Sequence, residues 1–448
     1  MQVKLVRDEL WLVISIVKWS IFSVLAGLLV GTVAAGFLNL LGSAVRLAEA
    51  LGSVRLVLLF PGLLVSMLII RFFTHNAKVD VEEAIHKYSG AVNVLVIPVR
   101  LAATIITIAC GGSVGKEGPC VQIGAGVVNS VASLFNFDDY DRKRLAIVGI
   151  AAGISAVFGT PITGAVFGVE VLYAGQVFYD VLLPAFIGGV VSSMTAAYWG
   201  AGRLTSVLIE IPRLGPHILA WSLAAGMFFG LVAMLHIECL HEMNGQFKKL
   251  PVPYFWKPLI GSAVLLLIAL LCGPYYLGLG DETIKAAVSG EKVPLFAFAL
   301  KSFAMAVTLG SGGSGGVLTP TLFIGATAGS FFARLFSLDQ SVFSALGLVA
   351  VLAGATNTPI ASTILAMELY GSAVAPFAGI ACAVSYVVTG HRSLYPGQLI
   401  LRPKARAFVI KTDEKGRKEI VGRFEGVSFA RIVKFFVLHL KNRFKIDE

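Results

Sequence analysis

The stretch Gly111–Ala125 reads GGSVGKEGPCVQIGA, and Gly312–Ala326 reads GGSGGVLTPTLFIGA. They align without a gap, with identical residues at Gly111/Gly312, Gly112/Gly313, Ser113/Ser314, Gly115/Gly316, Pro119/Pro320, Ile123/Ile324, Gly124/Gly325 and Ala125/Ala326. A second pair follows: Thr160-Pro161-Ile162 leads to Glu170 just as Thr358-Pro359-Ile360 leads to Glu368, at the same spacing. An internal repeat makes the chain two related halves, roughly Trp11–Gly200 and Gly215–Tyr395. Glu117 breaks the repeat, because its partner position is Leu318. The fold therefore has no need of a carboxylate there, and Glu117 is an addition to it.

The surroundings of the repeat are apolar. Of 448 residues, 56% are hydrophobic and 14% charged, and the mean hydropathy is +0.83. A soluble domain carries about 25% charged residues. Long apolar runs recur at Trp11–Leu41, Val54–Phe73, Val92–Cys110, Leu182–Trp199, Ile218–Leu235 and Phe255–Cys272. Each can cover a bilayer core of about 30 Å as a helix of roughly 20 residues. The expected fold is an all-α polytopic membrane protein. A barrel is excluded, since the runs do not alternate every second residue. Trp11–Leu41 is too long for a cleaved signal and reads as a retained first helix.

The net charge of +10 is concentrated between Arg402 and Lys445. A basic segment beside a last membrane helix marks the cytoplasmic side rather than a nucleic-acid partner, and Lys4 and Arg7 place the N-terminus there too. The segments are thus a cytoplasmic N-terminus (1–10), a first membrane repeat (11–200), a second (201–401) and a short basic cytoplasmic tail (402–448). The five cysteines show no CxxC or CxH spacing and read as packing residues, with no metal site and no cofactor.

Repeats in membrane transporters place substrate near the midplane, between broken helices whose N-termini face an anion. Glycine permits the tight backbone this needs, and Pro119 and Pro320 suit first helical turns. Free N–H groups and positive dipole ends from both halves then converge on one point.

These residues resemble the CLC family of chloride channels and chloride/proton antiporters, over nearly the whole chain. Gly115–Pro119 (GKEGP, then VQIG) is similar to the family's G(K/R)EGP signature. Gly316–Pro320 is similar to its GxFxP segment, and Thr389–Gln398 (TGHRSLYPGQ) to its last pore segment. The resemblance implies an antiparallel two-fold repeat of tilted and broken helices. It also implies a multi-pass protein of the cell membrane, in contact with lipid, forming a homodimer with one anion pathway in each subunit. It makes Glu117 the gating carboxylate, which moves when protonated or displaced by an anion. It gives Tyr395 a hydroxyl that donates to the central anion. Backbone N–H groups around Gly115, Lys116, Gly118 and Pro119, and at Val317, Leu318 and Thr319, supply further donors. The Lys116 side chain itself is expected to turn outward or to a polar partner.

Three departures matter. The family's GSGIP serine falls within Thr74–Ile85, where no serine stands; Asn76 or Ala77 falls near its position, depending on the gap, and Asn76 could donate through its amide. The GxFxP phenylalanine is Leu318. The internal glutamate of proton-coupled members is Val171, which leans toward passive conduction. Glu170 and Glu368 then read as paired structural carboxylates at helix ends. The short tail lacks room for CBS domains, as in prokaryotic members. The expected function is chloride transport, as channel or antiporter with protons, and the chain is not expected to be an enzyme. A fluoride-transporting relative is the alternative, since such members share the first two departures. An intramembrane serine protease built on Ser314 is a remote alternative, with His236 or His241 as its base. Ser314 has a repeat partner in Ser113, which a unique nucleophile should lack. His236 and His241 are instead expected to cap a helix at the water interface.

Overall fold

The computed structural model describes residues 2–73, 96–201, 209–395, 397–404, 408–412 and 418–422. The first half contains α1 (Gln2–Ala50), α2 (Leu59–Phe73), α3 (Val96–Ala109), α4 (Glu117–Leu134), α5 (Asp139–Phe158), α6 (Pro161–Glu170) and α7 (Tyr179–Tyr198). The second contains α8 (Pro216–Lys249), α9 (Trp256–Cys272), α10 (Asp281–Val288), α11 (Ala297–Gly310), α12 (Leu318–Leu335), α13 (Gln340–Thr356), α14 (Pro359–Tyr370) and α15 (Ala375–Val388).

The repeat is written in the backbone. Gly111 and Gly312 end α3 and α11 with φ of 100° and 110°, a region that favours glycine. Asn136 and Ser337 break the chain at φ 51° and 54°, and Gly159 and Asn357 at 71° and 61°. Helices α5 and α13 begin alike. Asp138 accepts the N–H of Asp141 at 2.8 Å, and Asp339 that of Val342 at 2.9 Å. Such N-caps satisfy donors that a helix start leaves open. Pro161 and Pro359 open α6 and α14 as first residues. Helices α5 and α13 are the innermost pair, with Leu145 through Phe158 and Val342 through Thr356 buried without interruption.

Among the described residues, four helical stretches are long and apolar enough to cross a membrane: Glu9–Ala50, Val54–Phe73, Tyr179–Tyr198 and Pro216–Lys249. Helix α1, with 49 residues, is about 70 Å long at 1.5 Å per residue, more than twice the bilayer core. The run Phe255–Cys272 gives a helix of 17 residues, Trp256–Cys272, ended by the glycine turn at Gly273. The described part of Val92–Cys110 is helical from Val96 to Ala109.

The halves are antiparallel and interlocked. Glu170, at the end of α6, accepts the N–H groups of Ile360 (3.1 Å) and Ala361 (2.8 Å) at the start of α14. Glu368, near the end of α14, accepts those of Ile162 (3.0 Å) and Thr163 (2.7 Å) at the start of α6. Each carboxylate thus caps the helix that carries the other, as expected of structural helix-end groups. A second exchange joins the glycine turns. Thr107 of α3 accepts the Ser314 N–H, and Thr308 of α11 the Ser113 N–H, both at 3.1 Å. Short strands finish the described structure. Strand β1 (Tyr173–Ala174) pairs in parallel with β2 (Leu399–Ile400), and β3 (Phe408–Thr412) pairs antiparallel with β4 (Lys418–Gly422).

Candidate functional site

The two glycine turns meet. Gly115 donates its N–H to the Gly316 carbonyl and Gly316 donates to that of Gly115, both at 2.7 Å. Just beyond this bridge α4 starts at Glu117 and α12 at Leu318. The side chains of their N-cap residues, Lys116 and Val317, make no capping hydrogen bond to the helix. Two helix starts therefore stand side by side with their positive ends uncapped.

Glu117 fills the gap between them. A Cβ on Gly115 would strike its carboxylate. One on Gly316 would lie 2.6 Å from the Gly118 nitrogen and 2.9 Å from Glu117 Oε2. Glycine is required at both positions so that the backbones can touch and the carboxylate can fit. Glu117 is 0% exposed, and neither of its oxygens has a hydrogen-bond partner of normal geometry. The Thr319 hydroxyl is also buried and unpartnered. A buried polar group without a partner costs about 1–3 kcal/mol, and more when charged. A proton or a rival anion at the same helix ends can relieve that cost.

Cavities lie on either side. One of about 290 Å³ is lined by Gly118, Gly315, Gly316, Val317, Leu318 and Tyr395, with Val171 and Leu172 from the end of α6. Another of about 480 Å³ is lined by Lys116, Asp281, Arg46 and Asn39. Consecutive residues thus face different spaces: Lys116 one, Gly118 the other, with Glu117 buried between.

Gly118, Val317, Leu318 and Tyr395 come together around the first cavity, with Gly115 at its bridge. Pro119 and Thr319 are buried inside the first turns of their helices and line neither cavity. Lys116 does not reach the first cavity with its ammonium, which pairs with Asp281 at 3.1 Å. The side chain thus finds the polar partner expected of it, while the Lys116 backbone stays at the start of α4. Asn76 lies outside the described residues.

Sequence reading passed over three polar groups at the first cavity, Arg100, Gln122 and Asn244, and His241 also lines it. Arg100 carried a signal, as the one charge within Val92–Cys110, and intramembrane charges mark function by default. Its repeat partner, Lys301, is 0% exposed and donates to the carbonyls of Gly278 (2.7 Å) and Tyr276 (3.3 Å). His236 departs from expectation. It is buried inside α8, with Nδ1 2.7 Å from the Ser302 hydroxyl and Nε2 3.3 Å from that of Thr321, because α11 and α12 enclose this part of the helix. Ser314 Oγ meets Thr104 Oγ1 at 3.0 Å.

The sequence matches the voltage gated chloride channel family over residues 61–390. A chloride/fluoride channel protein of Pseudomonas syringae pv. tomato is 32% identical over 405 residues, 88% of this chain and 89% of that one. The voltage-gated ClC-type chloride channel ClcB of Salmonella typhimurium is 27% identical, over 71% of this chain and 79% of that one. The crystal structure of a CLC-type fluoride/proton antiporter superposes with a TM-score of 0.80 at 27% identity, covering 86% of this chain and 98% of that one. A slow cyanobacterial Cl−/H+ antiporter shares the fold, with a TM-score of 0.73 at 20% identity, over 83% and 94%.

Proposed function

We infer the function from a plain premise: this chain belongs to the voltage-gated chloride channel family. It is a multi-pass membrane protein that transports small anions. We propose that chloride is the principal anion and that Glu117 is the gate. The observation that carries this reading is the position of Glu117, buried and unpartnered at two uncapped helix starts, between a cavity reached by Lys116 and one reached by Gly118. When the carboxylate is displaced or protonated, the N–H groups of the two uncapped helix starts are left open to an anion. Tyr395, Val317 and Leu318 then serve the anion in the adjoining cavity.

The gate is proposed to work passively. Val171 leaves no carboxylate at that wall of the cavity, and Glu170 is held by the N–H groups of Ile360 and Ala361. A proteoliposome flux assay with simultaneous pH recording tests both parts. Chloride efflux without uphill proton movement is the expected outcome, whereas protons driven uphill by the chloride gradient would make the protein an antiporter. Fluoride is the second reading. It is supported by the chloride/fluoride channel protein at 32% identity and by the fluoride/proton antiporter structure, and the same assay run with fluoride decides it. Both termini are placed in the cytoplasm on their Lys and Arg content. A homodimer is proposed, supported by apolar side chains left exposed on helices of both halves, among them Ile162, Leu183, Ile360 and Met367. No enzymatic activity is assigned.

A further inference from the structure

Gln398 lies three residues beyond Tyr395 and is 9% exposed. Its amide spans three segments. Nε2 donates to the Val171 carbonyl at 2.6 Å and to the Thr356 carbonyl at 2.8 Å. Oε1 accepts from Asn357 Nδ2 at 2.7 Å. Its backbone N–H donates to the Tyr395 carbonyl at 3.1 Å. Both side-chain donors and the side-chain acceptor are thus in use.

The two carbonyls are not arbitrary. Val171 is the C-cap of α6 and Thr356 the last residue of α13. Both belong to helix ends, whose final carbonyls have no partner within the helix. One side chain closes two of them, one from each half. Asn357, in the left-handed conformation at φ 61°, also donates to the Arg392 carbonyl at 3.0 Å. Leu394 N–H reaches the Ala355 carbonyl at 2.9 Å, and Leu399 N–H that of Leu172 at 3.3 Å. The loop that carries Tyr395 is therefore fastened on both sides of the tyrosine. Val171 and Leu172 form one part of the 290 Å³ cavity wall, and Leu394 and Tyr395 another. Gln398 is the side chain that binds these two parts together.

We propose that Gln398 is a positioning residue for anion selection: it sets the distance between the α6 end and Tyr395, and so the place of the tyrosine hydroxyl in the cavity. This rests on the reading of Tyr395 as an anion donor.

The test is chloride affinity by calorimetry on the purified full chain, with Gln398→Met, Asn357→Gly, Tyr395→Phe and the Gln398→Met/Tyr395→Phe double variant. Gln398→Met keeps the length of the side chain and removes both donors. Asn357→Gly keeps the left-handed backbone and removes one donor to Gln398, so it reads the same link if Gln398→Met does not fold. The expected result is chloride binding weakened about fivefold or more by Gln398→Met and about threefold by Asn357→Gly. With Tyr395 already Phe, the Gln398→Met effect shrinks below about twofold. The chloride-to-fluoride flux ratio in proteoliposomes shifts in parallel, which a merely structural loss would not do. Folded variants that bind chloride like the parent overturn the proposal, and so does a Gln398→Met effect of equal size in both backgrounds. If Tyr395→Phe alone leaves affinity unchanged, the Tyr395 assignment itself fails, and Gln398 falls with it. A weakening by Tyr395→Phe, with Gln398→Met silent, overturns the positioning role alone.

Discussion

Gly115 and Gly316 hold each other by two reciprocal backbone hydrogen bonds of 2.7 Å, so the point where the halves meet is also where the candidate gate sits. Bridge and gate cannot be altered separately. Gly316→Ala would press a methyl group against the Gly118 nitrogen and Glu117 Oε2. Overpacking of this kind costs about 1–3 kcal/mol. We expect Gly316→Ala to lower thermal stability by several degrees and to reduce chloride flux at least tenfold. A variant with parental flux would show that the bridge is not part of the pathway.

Removing the carboxylate should have the opposite effect on flux. In Glu117→Ala the uncapped helix starts remain and their occupant is gone. Chloride flux should persist or rise, and its dependence on pH should flatten, because no group at the gate is left to take a proton. Flux assays across a pH series check this, and a halt in chloride transport would sink the gate model.

Tyr395→Ala is expected to weaken chloride binding. Hydrogen bonds to charged groups contribute about 1.5–3 kcal/mol, which corresponds to a loss of roughly ten- to a hundredfold in affinity. Isothermal titration of the folded variant gives the number directly. Binding equal to the parent's would remove Tyr395 from the site.

The reciprocal carboxylates predict a stability pattern without a selectivity pattern. Glu170 is 6% exposed and Glu368 only half-buried. Each accepts two backbone N–H groups. Glu170→Ala should destabilise by about 3 kcal/mol and Glu368→Ala by somewhat less, since the more deeply buried donors are harder to rehydrate. Thermal melts should rank them in that order, with the chloride-to-fluoride flux ratio unchanged in both. A changed ratio would give Glu170 a part in conduction.

What the sequence made legible was whatever the repeat duplicated. The Gly111 and Gly312 turns, the helix starts after Gly115 and Gly316, and the Glu170 and Glu368 pairing all follow from comparing the halves. Residues that act alone were harder to see. Arg100 sat inside an apolar run and was counted as part of it. Gln398 binds Val171 and Thr356, partners 227 and 42 positions away, and no local pattern announces contacts of that range. Lys116 was legible only in part: a polar partner was expected, but nothing in the local sequence names Asp281, 165 positions away.

The exchange of helix caps also sets an order on how the protein is made. When α6 leaves the ribosome, the acceptor for its first N–H groups, Glu368, has not yet been synthesised. Until then the first half has one helix start without its cap. Only after residue 368 has been added can both locks close at once. A chain cut short before residue 368 therefore keeps an open helix start.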